Sequence, residues 1–181
     1  DEGKVMTWDW TFALEIVPTL LWGVWITILI TTASCVIALI GGLALAIIAD
    51  TTGWIGKTTI RLLIELLRGV PILVLLFFGF YALPQLGVIL SPYVIGISVL
   101  GVVYAAYCSE VYRGALITIP SGMRDASVAL GLSPFVTWTR ILIPLAISKS
   151  IPALINYILL TYRQTAMLFA IGVPVLMSQA Q

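Results

Sequence analysis

Along this chain the charged positions fall into a few short windows, separated by long apolar runs. Ile16 to Ala49 carries no charged residue, and neither does Gly69 to Ser109; between them, Asp50 to Arg68 is mixed and holds Lys57, Arg61, Glu65 and Arg68. A helix needs about 20 apolar residues to cross a hydrocarbon core of about 30 Å. The first run is too long for one upright helix and too short for two plus a turn. It predicts one long or tilted helix entered at Pro18, since a proline in a first turn sacrifices no hydrogen bond. The second run is punctuated by Pro84, Gly87, Ser91 and Pro92. That predicts two helices, near 58–82 and 93–117, joined by a short uncharged loop. A fourth helix is expected from Pro134 to Tyr162, with Pro144 and Pro152 inside it. Arg163 to Gln181, interrupted at Gly172 and Pro174, is too short and too broken to count as a span.

Composition turns this pattern into a fold class. The chain is 61% hydrophobic and 9% charged, whereas soluble domains carry about 25% charged residues. The expected fold is an all-α integral membrane protein, a helical bundle with four visible transmembrane helices. Residues 1–15 lack the basic-then-apolar order of a signal peptide, so the first span is expected to be retained. Lys57, Arg61 and Arg68 follow the first helix, Arg113, Arg124 and Arg140 follow the third, and Lys4 alone precedes the first. Basic residues mark cytoplasmic connections, which puts the N-terminus outside. Trp8, Trp10, Trp22 and Trp25 would mark one interface, Trp54 and Trp138 the other.

Small residues recur every four positions at Ala38, Gly42 and Ala46 and again at Gly101, Ala105 and Ser109, a spacing that lets helix backbones approach closely in lipid. Arg61, Glu65 and Arg68 share one helical face and are expected to pair with each other. Glu110 and Arg113, three apart, are expected to pair or snorkel, and Lys149 to snorkel. Cys35 and Cys108 sit in apolar runs and read as packing residues.

Chemistry is sparse. Gly56-Lys57-Thr58 has the tail of a phosphate-binding loop, but Thr51 stands where its first glycine belongs, and a membrane helix precedes it in place of a strand. With no histidine, no metal cluster and no nucleophile–base constellation, enzyme activity within the chain is not expected, nor a cofactor bound by it. The scattered basic residues give no footprint for nucleic acid.

The segment "GMRDASVALGLSPFVTWTRILIP", Gly122 to Pro144, breaks the apolar rhythm. Ser121 can cap a helix beginning at Gly122, and Asp125 favours its positive end. Met123, Ala126, Ala129 and Leu130 then share an apolar face, Gly131 supplies a left-handed stop, and Ser133-Pro134 restarts the chain. A helix of about nine residues is marginal alone in water, so this face must rest on its own bundle or in a partner's groove.

"RDASVALGLSPFVTWTRILIP" resembles the EAA loop of ATP-binding-cassette importer permeases, matching at Asp125-Ala126-Ser127, Gly131 and Ile143-Pro144. "ELLRGVPILVLLFF", "SEVYRGALITIPSG" and "PALINYILLTYRQTAMLFAIGVPVLMSQA" resemble the polar amino-acid branch, so the likeness runs through nearly the whole chain in order. Asp for Glu at 125 and Ser for Ala at 127 keep charge and size. The branch usually has five spans, and the resemblance therefore implies a missing C-terminal helix in a single permease domain over 1–181, with its coupling loop at about 118–140. It also implies a multi-pass protein of the bacterial inner membrane. Asp125, Ala126, Ser127, Ala129, Leu130, Gly131 and Pro144 would couple the chain to two cytoplasmic ATPase subunits, which bind ATP and magnesium. A second permease subunit, the same or paralogous, and an extracytoplasmic solute-binding protein complete the implied assembly. The implied cargo is a polar amino acid or related small zwitterion, ectoine-like solutes included. Asn156, Arg163, Gln164, Thr165, Tyr81 and Tyr107 are the polar groups available to bind it, and interrupted helices such as that at Gly69-Val70-Pro71 are favoured places for such sites. The rival readings are a membrane scaffold, which leaves the loop helix unexplained, and a channel, which lacks a ring of pore-lining polar groups.

Overall fold

The computed structural model describes residues 10–176, and every regular element in that range is helical. Lys4, Trp8 and the segment 177–181 lie outside the described residues. Helix α1, Trp10–Thr51, is unbroken over 42 residues, about 63 Å at about 1.5 Å per residue. It starts before the expected entry, so Pro18 lies inside the helix rather than at its first turn.

The expected single helix over 58–82 is two. Helix α2, Trp54–Gly69, and helix α3, Ile72–Gln85, meet at a 95° bend. The bend falls at Pro71, whose ring disfavours the helical region for the residue before it; Val70 is extended at φ −87°, ψ 129°.

Helix α4, Pro92–Ile117, opens with Ser91 as its cap, the Ser91 side chain accepting a hydrogen bond from the Val94 N–H at 3.4 Å. Helix α5, Ser121–Ala129, is the short loop helix. Helix α6 runs over Pro134–Ile171, past the expected end at Tyr162, as its last stretch tightens to a 3₁₀-helix over Thr165–Ile171 that Gly172 stops at φ +78°. Beyond it Val173 and Val175 are buried, and the Leu176 N–H donates to Thr27 Oγ1 at 3.1 Å, returning the chain to α1.

Both α3 and α6 contain one wide π-turn, and in each a proline follows directly. The Leu83 N–H reaches the Phe78 carbonyl, and Pro84 comes next. The Ile143 N–H reaches the Trp138 carbonyl, followed by Pro144. A proline inside a helix lacks its N–H and crowds the carbonyl four residues back; opening the preceding turn by one residue relieves that clash.

α4 is the central helix: 56% of its apolar window is buried, against 28% in α1 and 22% in α6. The two small-residue stripes meet each other here. A Cβ at Gly42 would lie 2.6 Å from Cys108 Cβ and 2.9 Å from the Ala105 carbonyl oxygen, so α1 and α4 are in backbone-distance contact. α6 closes the other side of α4, burying Ala146, Ser150 and Leu154. Lys149, expected to snorkel, makes a defined contact. Its ammonium donates to the Thr118 carbonyl at 3.0 Å and to Thr118 Oγ1 at 3.1 Å, tying α6 to the negative end of α4.

Candidate functional site

The loop helix is held firmly on one side and left bare on the other. Its start differs from expectation: Pro120 precedes the first helical residue, and Ser121 lies inside the helix without capping it. The Met123 N–H bonds to the Pro120 carbonyl instead. Its end is as read. Gly131 sits at φ +68°, the Leu132 N–H bonds to the Ser127 carbonyl at 3.0 Å and the Gly131 N–H to the Val128 carbonyl at 2.9 Å, a Schellman stop that satisfies two orphan carbonyls. Two residues on, the Ser133 side chain accepts from the Val136 N–H at 3.3 Å and fixes the start of α6.

Two residues anchor α5 to its own subunit. Ser127 is 1% exposed, its hydroxyl donating to the Arg124 carbonyl. Arg124 donates to Asp50 Oδ2 at 3.0 Å, at the end of α1, and its guanidinium lies 5.7 Å from the centroid of the Trp138 ring in α6. No local pattern announces this clasp, since Asp50 and Arg124 are 74 positions apart. Of the seven residues expected to couple, Ser127 therefore faces inward. Asp125, Ala126, Ala129, Leu130 and Gly131 are exposed, and Pro144 is exposed one residue after the π-turn of α6. Val128 (75% exposed) and Phe135 (76%) extend the bare apolar surface beyond Met123 and Leu130; spacing alone did not single them out.

The six polar groups considered for a substrate do not converge. Arg163 and Thr165 line one cleft of about 320 Å³ with Thr27, Tyr162, Ala166, Val175 and Leu176, at the end of α6 far from α5. Gln164 lies beside that cleft in sequence without lining it. Asn156 is exposed on α6, and Tyr81 is exposed on the π-turn of α3. Tyr107 belongs elsewhere: its ring stacks on Tyr157 at 5.5 Å, its hydroxyl donates to the Arg68 carbonyl at 3.4 Å, and the Arg68 guanidinium lies 5.0 Å over its face.

The charged groups of α2 and α4 do converge. Arg61, Glu65 and Arg68 do not pair with each other; among the described residues the ion pairs are Arg113–Glu110 at 2.6 Å and Arg124–Asp50. Instead they line, with Ile64, Glu110 and Arg113, a second cleft of about 290 Å³. The bend at Val70-Pro71 aims α2 so that its charged face meets α4.

Residues 42–181 match the family described as the inner membrane component of binding-protein-dependent transport systems. The chain belongs to that family. Among its relatives, the probable amino-acid ABC transporter permease protein y4tG of Sinorhizobium fredii (strain NBRC 101917 / NGR234) is 33% identical, the match covering 97% of this chain and 78% of that protein. The glutamine transport system permease protein GlnP of Escherichia coli (strain K12) is 32% identical over 97% of this chain and 81% of its own. Among solved structures, the crystal structure of an amino acid ABC transporter with histidines superposes with a TM-score of 0.84 at 27% identity, covering 97% of this chain and 82% of that one. The all-helical architecture is thus that of ABC importer membrane subunits, and the two relatives named are described as a probable amino-acid permease and a glutamine permease.

Proposed function

We propose that this chain is the transmembrane subunit of an ATP-driven importer that takes a polar amino acid, or a related small zwitterion, from a binding protein and passes it into the cytoplasm. ATP is bound and hydrolysed with magnesium on two separate ATPase subunits, and a second permease subunit completes the pathway. The N-terminus lies outside, so α5 lies in the cytoplasm, where each ATPase clasps one such helix. Asp125, Ala126, Ala129, Leu130 and Gly131 belong to the clasped surface, with Ser127 and Pro144 setting its position from behind. At the opposite end, Arg163 and Thr165 form an outer contact for the solute's carboxylate.

One observation carries this reading: α5 is punctuated at both ends and clasped to its bundle through Arg124 and Ser127, and the surface it forms with the start of α6 leaves Val128, Leu130 and Phe135 bare. Full burial of one such side chain is worth roughly 1.5–3 kcal/mol, so a groove that covers this surface gains a firm hold on a small helix. Purification in mild detergent tests it. The ATPase is expected to co-elute with this chain at equal stoichiometry, and Leu130→Asp is expected to release it while the membrane part stays monodisperse. A chain that purifies without an ATPase under gentle conditions would favour a scaffold, and solute flux without ATP would favour a channel.

A further inference from the structure

We infer that the charged cleft between α2 and α4 is a binding site for the two charged ends of an α-amino acid, and that its charge balance selects neutral and acidic amino acids over basic ones. The inference rests on the importer reading and names the solute class that reading leaves open.

The cleft is lined by Arg61, Glu65, Arg68, Glu110 and Arg113, with Ile64 the one apolar member. Its volume of about 290 Å³ falls at the lower edge of the roughly 300–1,000 Å³ typical of small-molecule sites, which suits a small solute. Glu110 and Arg113 are spent on each other. The Arg113 Nε lies 3.1 and 3.0 Å from the two carboxylate oxygens, and a terminal nitrogen lies 2.6 Å from Oε2. Arg61, Glu65 and Arg68 are left. The spacing of Arg61 and Glu65 permits an intrahelical pair, yet no such pair forms, and all three side chains stay exposed.

Charges on a membrane-crossing chain face water, a partner or a pathway, because lipid leaves them unsolvated. Here they face one another across an opening toward the end of the bundle that the basic residues mark as cytoplasmic, with Glu110 and Arg113 in the last turns of Pro92–Ile117. These three groups, outside any ion pair among the described residues, are the complement of a zwitterion. Two guanidiniums suit one carboxylate, which arginine can grip through two parallel hydrogen bonds, and Glu65 suits an ammonium. Tyr107 holds Arg68 in place from below, through its ring face and through the hydroxyl bonded to the Arg68 carbonyl.

The lining carries three guanidiniums against two carboxylates, a surplus of one positive charge. A neutral amino acid leaves that surplus unchanged, an acidic side chain cancels it, and a basic side chain adds to it. The cleft at Arg163 offers no such balance, since its other lining residues are uncharged.

The test is direct binding of radiolabelled L-glutamate, L-glutamine and L-arginine to the purified permease–ATPase complex without its solute-binding protein, beside ATP-driven uptake of the same three by the complete system in proteoliposomes. Glutamate and glutamine are expected to bind, with arginine weaker by roughly tenfold or more. Arg61→Glu reverses the surplus and is expected to lower glutamate affinity and raise arginine affinity, changing their ratio by roughly a hundredfold. Arg61→Gln, a milder change for folding, is expected to fall between. Unchanged ranking in both variants, or arginine bound best by the unaltered complex, overturns the proposal. Absence of binding by all three, with ATP-driven uptake intact, overturns this site and leaves the importer reading standing; absence of both overturns the two together.

Discussion

At Gly131 the backbone lies at φ +68°, and a Cβ placed there would meet nothing within 4 Å. Any penalty for a side chain is therefore conformational, about 1–2 kcal/mol for a left-handed non-glycine residue, with no crowding added. Gly131→Val is expected to insert, purify and hydrolyse ATP at the basal rate, while solute moved per ATP falls by roughly tenfold or more because the helix end no longer holds its angle. Uptake and hydrolysis measured together in proteoliposomes check this, and Gly131→Asn, which tolerates the left-handed region better, should retain most uptake. Gly42 is the opposite case. There a Cβ would sit 2.6 Å from Cys108 Cβ, so Gly42→Ala forces α1 from α4 and should cost roughly 1–3 kcal/mol of stability, visible as a lower thermal midpoint in detergent. Both glycines were legible in the sequence, because a stop signal and a four-residue stripe are local patterns. The cap at Ser121 was misread for an equally local reason, since Pro120 already delivers the extended residue that a cap would supply. What local pattern cannot supply is the meeting of Arg61, Glu65 and Arg68 with Glu110 and Arg113. It depends on how far α2 turns at Pro71, and nothing in the spacing of either group sets that angle.

Between elements, the contacts that matter to α5 are few and specific. It touches α1 through Arg124–Asp50 and α6 through Arg124–Trp138, while α4, from which it descends, is tied to α6 by Lys149. The Arg124 and Asp50 side chains are 43% and 30% exposed, and pairs of that kind contribute about 0–1 kcal/mol to stability. On the proposed function their value lies in geometry: a push on α5 would reach the ends of α1 and α6 through one guanidinium. Arg124→Asp is expected to leave the thermal midpoint within a few degrees of the parent while lowering uptake per ATP hydrolysed, and the swapped pair Asp50→Arg with Arg124→Asp should recover part of that loss. Failure of the swap to recover anything, with the single variant defective, would assign the defect to Trp138 or to the ATPase contact instead. Three of the four expected spans are helices legible from hydropathy, over Leu14–Thr51, Pro92–Ile117 and Pro134–Ile171, whereas the fourth is the pair α2 and α3, bent by 95° at the interruption Gly69-Val70-Pro71. A proline inside an apolar run signals a kink or a sharp turn alike, and the same residue type at Pro84 and Pro144 was absorbed by a π-turn with the helix continuing.

Taken whole, the molecule exposes two kinds of apolar surface. On α1 and α6, Leu21, Trp22, Ile40, Ile155 and Leu159 are bare, set in long uncharged stretches that suit lipid or a neighbouring membrane helix. On α5 and the start of α6, Val128, Leu130 and Phe135 are equally bare but stand among Arg124, Asp125 and Ser133, a neighbourhood too polar for the hydrocarbon. On the proposed function their cover is protein from the aqueous side. The chain's two cysteines, Cys35 and Cys108, are both buried, so Val128→Cys places one accessible thiol on this surface. A membrane-impermeant maleimide is expected to label it rapidly in inverted membrane vesicles stripped of ATPase, slowly in whole spheroplasts, and to be excluded by roughly tenfold in rate once the ATPase is restored. Labelling from the outside would reverse the orientation given to every span. Labelling that the ATPase leaves untouched would mean that Val128 faces water in the assembled particle, and the coupling role would then have to pass to another part of the chain.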